Sequence, residues 1–147
     1  MNNLKLAESN IRQAEERLKH AGEALTSGNY PYTVRQCQEA VELLLKAALR
    51  IAGIEPPKWH DVGPIIRREL DRFPQRFRDE VDFIVSASRR LRNERERSMY
   101  GDEETGLPPE ELYTRLDAEQ ALSDALKIRR LVLELLGEAS GGRNESS

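Results

Sequence analysis

One cysteine, Cys37, and two histidines leave this 147-residue chain with little from which to build a disulfide or a metal centre. A single thiol closes no internal bridge, which suits a reducing compartment, and no Cys/His spacing resembles a zinc site. Cys37 lies on the apolar face of its helix and reads as a small core residue. Aromatics are scarce, at 5 %, while charged residues reach 33 %. That balance fits a helical bundle with solvated faces better than a β-sandwich. No apolar run approaches the roughly 20 residues that a membrane span requires. Met1 to Glu8 is charged and amphipathic, unlike the apolar core of a signal peptide, so a soluble cytoplasmic protein is expected. Glycine-rich phosphate loops, nucleophile elbows and internal repeats are all missing. Asp102, Glu103 and Glu104 have no neighbouring histidine or spaced carboxylate, so they read as a solvated or arginine-paired loop. No metal and no cofactor is expected.

What the chain does have is arginine, unevenly placed. The formal net charge of −3 argues against a general polyanion binder. Yet ten of the eighteen arginines lie between Arg67 and Arg97, against seven acids. The planar fork of arginine matches a phosphate or carboxylate with two parallel donors, which a lysine ammonium does not. A solvated helix face would carry the same run.

The apolar pattern predicts helices throughout. Leu4, Ala7, Ile11, Ala14, Leu18, Ala21 and Leu25 step by three and four residues, giving a first helix over about Asn3–Ser27 with a narrow seam. His20 lies off that seam and reads as surface. Gly28-Asn29 ends the helix, and Pro31 sits in the first turn of the next, over about Tyr30–Ala52. That second helix is apolar round most of its circumference, from Val34 to Ile51, so it is expected at the centre of the bundle. Its surplus apolar surface points to a homodimer. Pro56-Pro57 precedes a loop containing Trp59 and His60, and Asp61 is placed to cap a short third helix over about Val62–Phe73. A fourth helix is expected over about Gln75–Met99. A long irregular link over 101–116 follows, and then a last helix opens with Asp117 and Gln120 as a capping box. Ala118, Ala121, Leu122, Ala125, Ile128, Leu131, Val132 and Leu135 form the buried face of that helix. The Gly/Ser-rich residues 137–147 are expected to be a disordered tail. The fold class is all-α: an antiparallel four-helix up-and-down bundle with an additional short helix, one domain over residues 1–136.

The stretch that carries chemistry is Ser86 to Gly101. Its upstream seam runs Phe77, Val81, Ile84, Ser88, Leu91, and the same spacing carried forward places Arg95 and Ser98 inward. A buried guanidinium requires either an acidic partner on a facing helix or an open cleft. Both alternatives stand, the second making Arg95 and Ser98 binding residues.

Leu91-Arg92-Asn93, a polar run and then Tyr100-Gly101 are similar to the motif region of the HEPN domains, small helical proteins of prokaryotes. Many of these are ribonuclease toxins of HEPN/MNT toxin–antitoxin pairs, and the resemblance spans roughly Asn3 to Leu136. The family motif is Arg, often followed by Asn, with a His four to six residues after the Arg. It falls on Arg92 and Asn93, and the His position falls on Arg97 or Ser98, neither of them histidine. Tyr100 resembles the tyrosine two residues beyond that His. A His-Asp pair commonly stands where His60-Asp61 does, making His60 either a binding residue or a loop anchor.

The resemblance implies two functional classes. In one, a HEPN-type dimer acts on RNA: motif residues of two subunits meet in a cleft and assist attack of a ribose 2′-OH on the adjacent phosphate. Arg92, Asn93, Arg97 and Tyr100 would be its catalytic candidates, giving a metal-independent endoribonuclease in need of a substitute for the histidine. In the other, the bundle is a nucleotide- or RNA-binding component without catalysis, docking an MNT-type nucleotidyltransferase that can add AMP to Tyr100.

Overall fold

The computed structural model describes residues 3–58 and 61–145, with side chains as far as Gly141. Trp59 and His60 lie outside the described residues. Every element is helical: α1 (Asn3–Ser27), α2 (Tyr30–Ile51), α3 (Gly63–Arg68), a 3-10 turn (Leu70–Arg72), α4 (Gln75–Arg78), α5 (Val81–Asn93), α6 (Arg97–Tyr100), α7 (Pro109–Leu112) and α8 (Arg115–Glu145). Among the described residues the extended pairing is a single bridge, Asp102 to Leu107. The expected all-α class is therefore the observed one.

Helix α1 ends where Gly28 takes a φ of +83°, a conformation costly for any residue with a side chain. Asn29 then opens α2, its side-chain oxygen accepting from the Tyr32 amide. The two helices form an antiparallel hairpin, fastened at its far end by Arg50 Nε donating to Asn10 Oδ1 at 3.1 Å. Ala7, Ile11, Ala14, Leu18 and Ala21 of α1 are buried as their seam predicts. Helix α2 is central, packing on α1, α8, α5, α6 and α7. Leu44, Leu45 and Leu49 are fully buried there, and each such side chain contributes roughly 1.5–3 kcal/mol relative to exposure. The apolar surface of α2 that pointed to a second copy is thus largely covered within one chain.

The expected third helix stops at Arg68 and passes into the 3-10 turn, and three further boundaries differ, each for a local reason. The fourth helix is not continuous over 75–99. Beyond Asn93 the amides of Glu94 and Arg95 bond back three residues, to Leu91 and Arg92, so the helix tightens into a turn. The next seam positions had nothing apolar to bury, and the turn rotates Arg95 outward, where it is exposed. Ser98 remains buried, its hydroxyl donating to the Arg95 carbonyl at 3.1 Å. The last helix starts at Arg115, and its capping box is Thr114 with Asp117: each side chain accepts from the other's amide, at 2.9 and 3.2 Å. The same helix continues past Leu136 to Glu145, and residues 146 and 147 of the expected tail lie outside the described residues. No described helix is long and apolar enough to cross a membrane.

The link after Tyr100 is shorter in effect than its sequence suggests. Gly101 has a φ of +81°, and an added Cβ would lie 2.2 Å from the Leu107 carbonyl oxygen. Only glycine lets Asp102 N reach that carbonyl, at 2.9 Å. The chain then folds through α7 and returns Tyr113 to the core.

Candidate functional site

The motif region occupies the end of α5, the turn after it and α6, and its residues fan out in three directions. Arg92 stands in the last turn of α5, where a cation is favoured by the exposed carbonyls. It turns toward α2, with Nη1 3.4 Å from Glu42 Oε1, an ion pair rather than a short hydrogen bond. Asn93 and Arg97 line a cavity of about 410 Å³ between α5, α6 and α8. Arg95 lines a different cavity, of about 230 Å³, against α1 and α2. Ser98 and Met99 border a third groove beside Tyr32 and Pro109. Tyr100 is 68 % exposed, its phenol open to solvent.

The larger motif cavity holds groups that spacing alone did not single out. Asp124 of α8 is 6 % exposed yet carries a carboxylate. Arg90 Nη2 donates to it at 2.7 Å and Gln120 Nε2 at 2.9 Å, so the buried charge is satisfied. Opposite, the Tyr113 hydroxyl donates to Glu94 Oε2 at 2.5 Å, and Arg97 pairs with the other oxygen of Glu94 at 3.9 Å. Burial foremost, then the hydrogen bond and charge of Glu94, hold the Tyr113 phenol above its ordinary range, while Arg97 pulls the other way. At physiological pH Tyr113 is therefore a neutral donor. Behind this cavity the Cys37 thiol is pushed up to about 12, first by burial and then by the Asp124 charge. It remains protonated and unreactive, as a core thiol should.

Some of these residues were visible in principle. Asp124 interrupts the apolar face between Ala121 and Ile128, and a carboxylate at a core position announces a partner. Glu42 belongs to the thin polar stripe of an otherwise apolar α2. Tyr113 lies in an irregular link, and no periodicity leads to it. Among the described residues no three His, Cys, Asp or Glu side chains come together as a metal site. His20, the one described histidine, sits on α1 with Nε2 3.3 Å from Glu16 Oε1.

The HEPN domain family model matches residues 7–136, which includes every element from the seam of α1 to the buried face of α8. This chain is a HEPN domain. It is also 30 % identical over 145 residues to the Methanocaldococcus jannaschii protein named "Putative toxin MJ1304", covering 95 % of this chain and 93 % of that one. Two solved structures share its fold. TT1696 from Thermus thermophilus superposes with a TM-score of 0.71 at 30 % identity, covering 88 % of this chain and 97 % of that one. ST0689, an archaeal HEPN homologue, gives 0.69 at 25 % identity with the same coverages of 88 % and 97 %. The Arg92-Asn93 pair that resembles the family motif is followed, five and six residues after the arginine, by Arg97 and Ser98.

Proposed function

We propose that this HEPN domain is the RNA- or nucleotide-binding component of a toxin–antitoxin-type pair, acting in the cytoplasm as a homodimer without efficient cleavage. One observation carries the reading: no histidine stands four to six residues after Arg92, and neither Arg97 nor Ser98, where the resemblance places it, can take its part as a base. Arg97 carries a guanidinium, a fork of donors with no acceptor to take a proton, and leans on Glu94. The Ser98 hydroxyl is buried and spent on the Arg95 carbonyl. Arg92 keeps the fork that suits a phosphate, held from α2 by Glu42. The toxin setting is supported by the name of the Methanocaldococcus relative. The exposure of Tyr100 supports the partner role, since a nucleotidyltransferase acts only on a phenol it can reach. For the homodimer, support now comes from Tyr32 and Met99, exposed apolar side chains that border one groove, rather than from the core-facing surface of α2.

The test is anisotropy with labelled single-stranded RNA, paired with a cleavage assay in chelator. Wild type should bind, Arg92→Ala should weaken binding about tenfold, and the RNA should stay intact. Rapid metal-independent cleavage that Arg92→Ala abolishes would overturn the non-cleaving assignment in favour of a ribonuclease toxin. Cleavage gained in Arg97→His alone would mean that the cleft is intact and lacks only its base.

A further inference from the structure

The groove beside Tyr32 and Met99 lies between the start of α2, α6 and the first turn of α7, and measures about 450 Å³. It shares no lining residue with the cavity of Asn93 and Arg97. On its α2 side stands Gln36, only 8 % exposed. Among the described residues nothing hydrogen-bonds to the Gln36 side-chain amide. The amide is not sealed in, however. Unlike the Gln38 nitrogen, its nitrogen and oxygen stay within reach of the groove. An amide buried this far normally finds partners, because leaving it unmet costs its desolvation.

A side-chain amide needs an acceptor and a donor together, and a peptide group offers both in one plane. Ser98, across the groove on α6, adds an acceptor: its proton goes to the Arg95 carbonyl, so toward the groove its oxygen can only accept. The walls are apolar, with Tyr32 and Met99 exposing 41 % and 39 % of their surface. An extended chain turns alternate side chains to opposite faces, so one set would meet these walls and the other the rim. Charge decides the sign of that second set. Arg35 is held by Glu39 at 3.2 Å, whereas Glu110 is exposed and pairs with no described cation. Glu110 belongs to the link over 101–114, which holds five acids and no lysine or arginine. A polyanion here would meet unpaired carboxylates, while a cationic segment would pair with them.

We propose that this groove docks an extended, basic segment of a partner protein. The segment's backbone pairs with the Gln36 amide and the Ser98 oxygen, an apolar side chain lies between Tyr32 and Met99, and a lysine or arginine meets Glu110. This goes beyond the RNA-binding function above and does not depend on it. The segment and a second copy of the chain compete for the Tyr32–Met99 rim, so docking and self-association exclude each other there.

The experiment is fluorescence anisotropy with a labelled, capped hexapeptide of alternating lysine and leucine, at low salt and with the protein dilute enough to suppress self-association. An alternating glutamate–leucine hexapeptide and hexauridylate are the comparisons. The lysine peptide should bind saturably, and the glutamate peptide about tenfold more weakly. Gln36→Met should weaken the lysine peptide about tenfold, because it removes the amide at nearly the same volume. Glu110→Lys, at an exposed position where the fold is indifferent, should weaken it about fivefold and strengthen the glutamate peptide. Arg89→Ala, an exposed arginine outside the groove, should change nothing. Equal binding of the two hexapeptides would overturn the site, as would binding that survives both Gln36→Met and Glu110→Lys. Hexauridylate that binds in the peptide's place and is weakened by Gln36→Met would give the groove to RNA and overturn it. Self-association weakened by Gln36→Met, with no peptide bound at any dilution, would give the groove to a second copy and overturn it too.

Discussion

The two cavities on either side of the α5–α6 turn have their polar groups in opposite condition. Toward α8, each charge is met: Asp124 by Arg90 and Gln120, Glu94 by Tyr113 and Arg97. Toward α1, two buried donors, Gln38 Nε2 and Arg17 Nε, lack a hydrogen-bond partner, and Lys46 and Arg95 line the cavity without an ion pair to a described acid. The first arrangement holds the motif segment in place, since it ties α5 to α8 and the α6 turn to the returning link. The second keeps unpartnered groups beside its own ties, the Arg17–Glu39 and Arg92–Glu42 pairs that join α2 to α1 and to α5. A polar network that closes on itself fastens the elements it joins, and one that stays open leaves part of that stabilisation unmade.

Arg90→Ala tests this contrast most severely. Arg90 is largely exposed, but its partner Asp124 is not, so truncation leaves a buried carboxylate with one amide donor. The expected cost is about 2–4 kcal/mol in urea unfolding, at the lower end of broken buried pairs because Gln120 remains. A cost below about 0.5 kcal/mol would mean that the α8 network is decorative, and the contrast between the cavities would collapse.

Tyr113→Phe comes next, at about 1–2 kcal/mol near neutral pH, because it deletes a hydrogen bond to a carboxylate without removing the ring. Its pH dependence is the sharper signature. The folded state raises the Tyr113 phenol above the ordinary value of 10.0, so the unfolded chain releases that proton first. The stabilisation is therefore complete below about pH 10 and declines as pH rises beyond it. Wild type should lose stability between about pH 9 and pH 11 more steeply than Tyr113→Phe. Parallel slopes would show that Glu94 does not hold the phenol.

How much of this was legible in the sequence follows from where each signal resides. Helices α1, α2 and α8 announce themselves because their seams repeat without interruption, and burial at Ala14, Leu44 and Ile128 follows the repeat. The same reasoning failed at Arg95, for a physical reason. Periodicity predicts a direction only while the helix persists, and a helix with nothing further to bury is free to tighten into a turn. Ser98 returned to the interior because α6 begins a new helix, not because the old phase survived. Gln38 was readable and more informative than Arg95: it lies four residues from Val34 and three from Val41, an amide within an apolar stripe. The Tyr113–Glu94 bond joins an irregular link to a turn, and no local pattern encodes such a pairing.

The smallest expected change belongs to Arg95→Ala, and it separates the two halves of the comparison within five residues of chain. Had the seam continued, Arg95 would be buried, and its loss would cost about as much as that of Arg90. The turn after Asn93 instead leaves it exposed and without a described acidic partner, so stability should change by less than about 0.5 kcal/mol. The sign is informative as well. Lys46, Arg17 and Arg35 line the same cavity, so removing one cation relieves repulsion and any shift should be slightly stabilising at low salt. Added salt should screen that gain away. Urea unfolding of the two variants in parallel, at low and high salt, makes the measurement. Equal losses for Arg90→Ala and Arg95→Ala would restore a buried Arg95 and with it an internal ion pair. A large loss for the first and none for the second would place Arg95 outside any buried ion pair, as the turn after Asn93 requires.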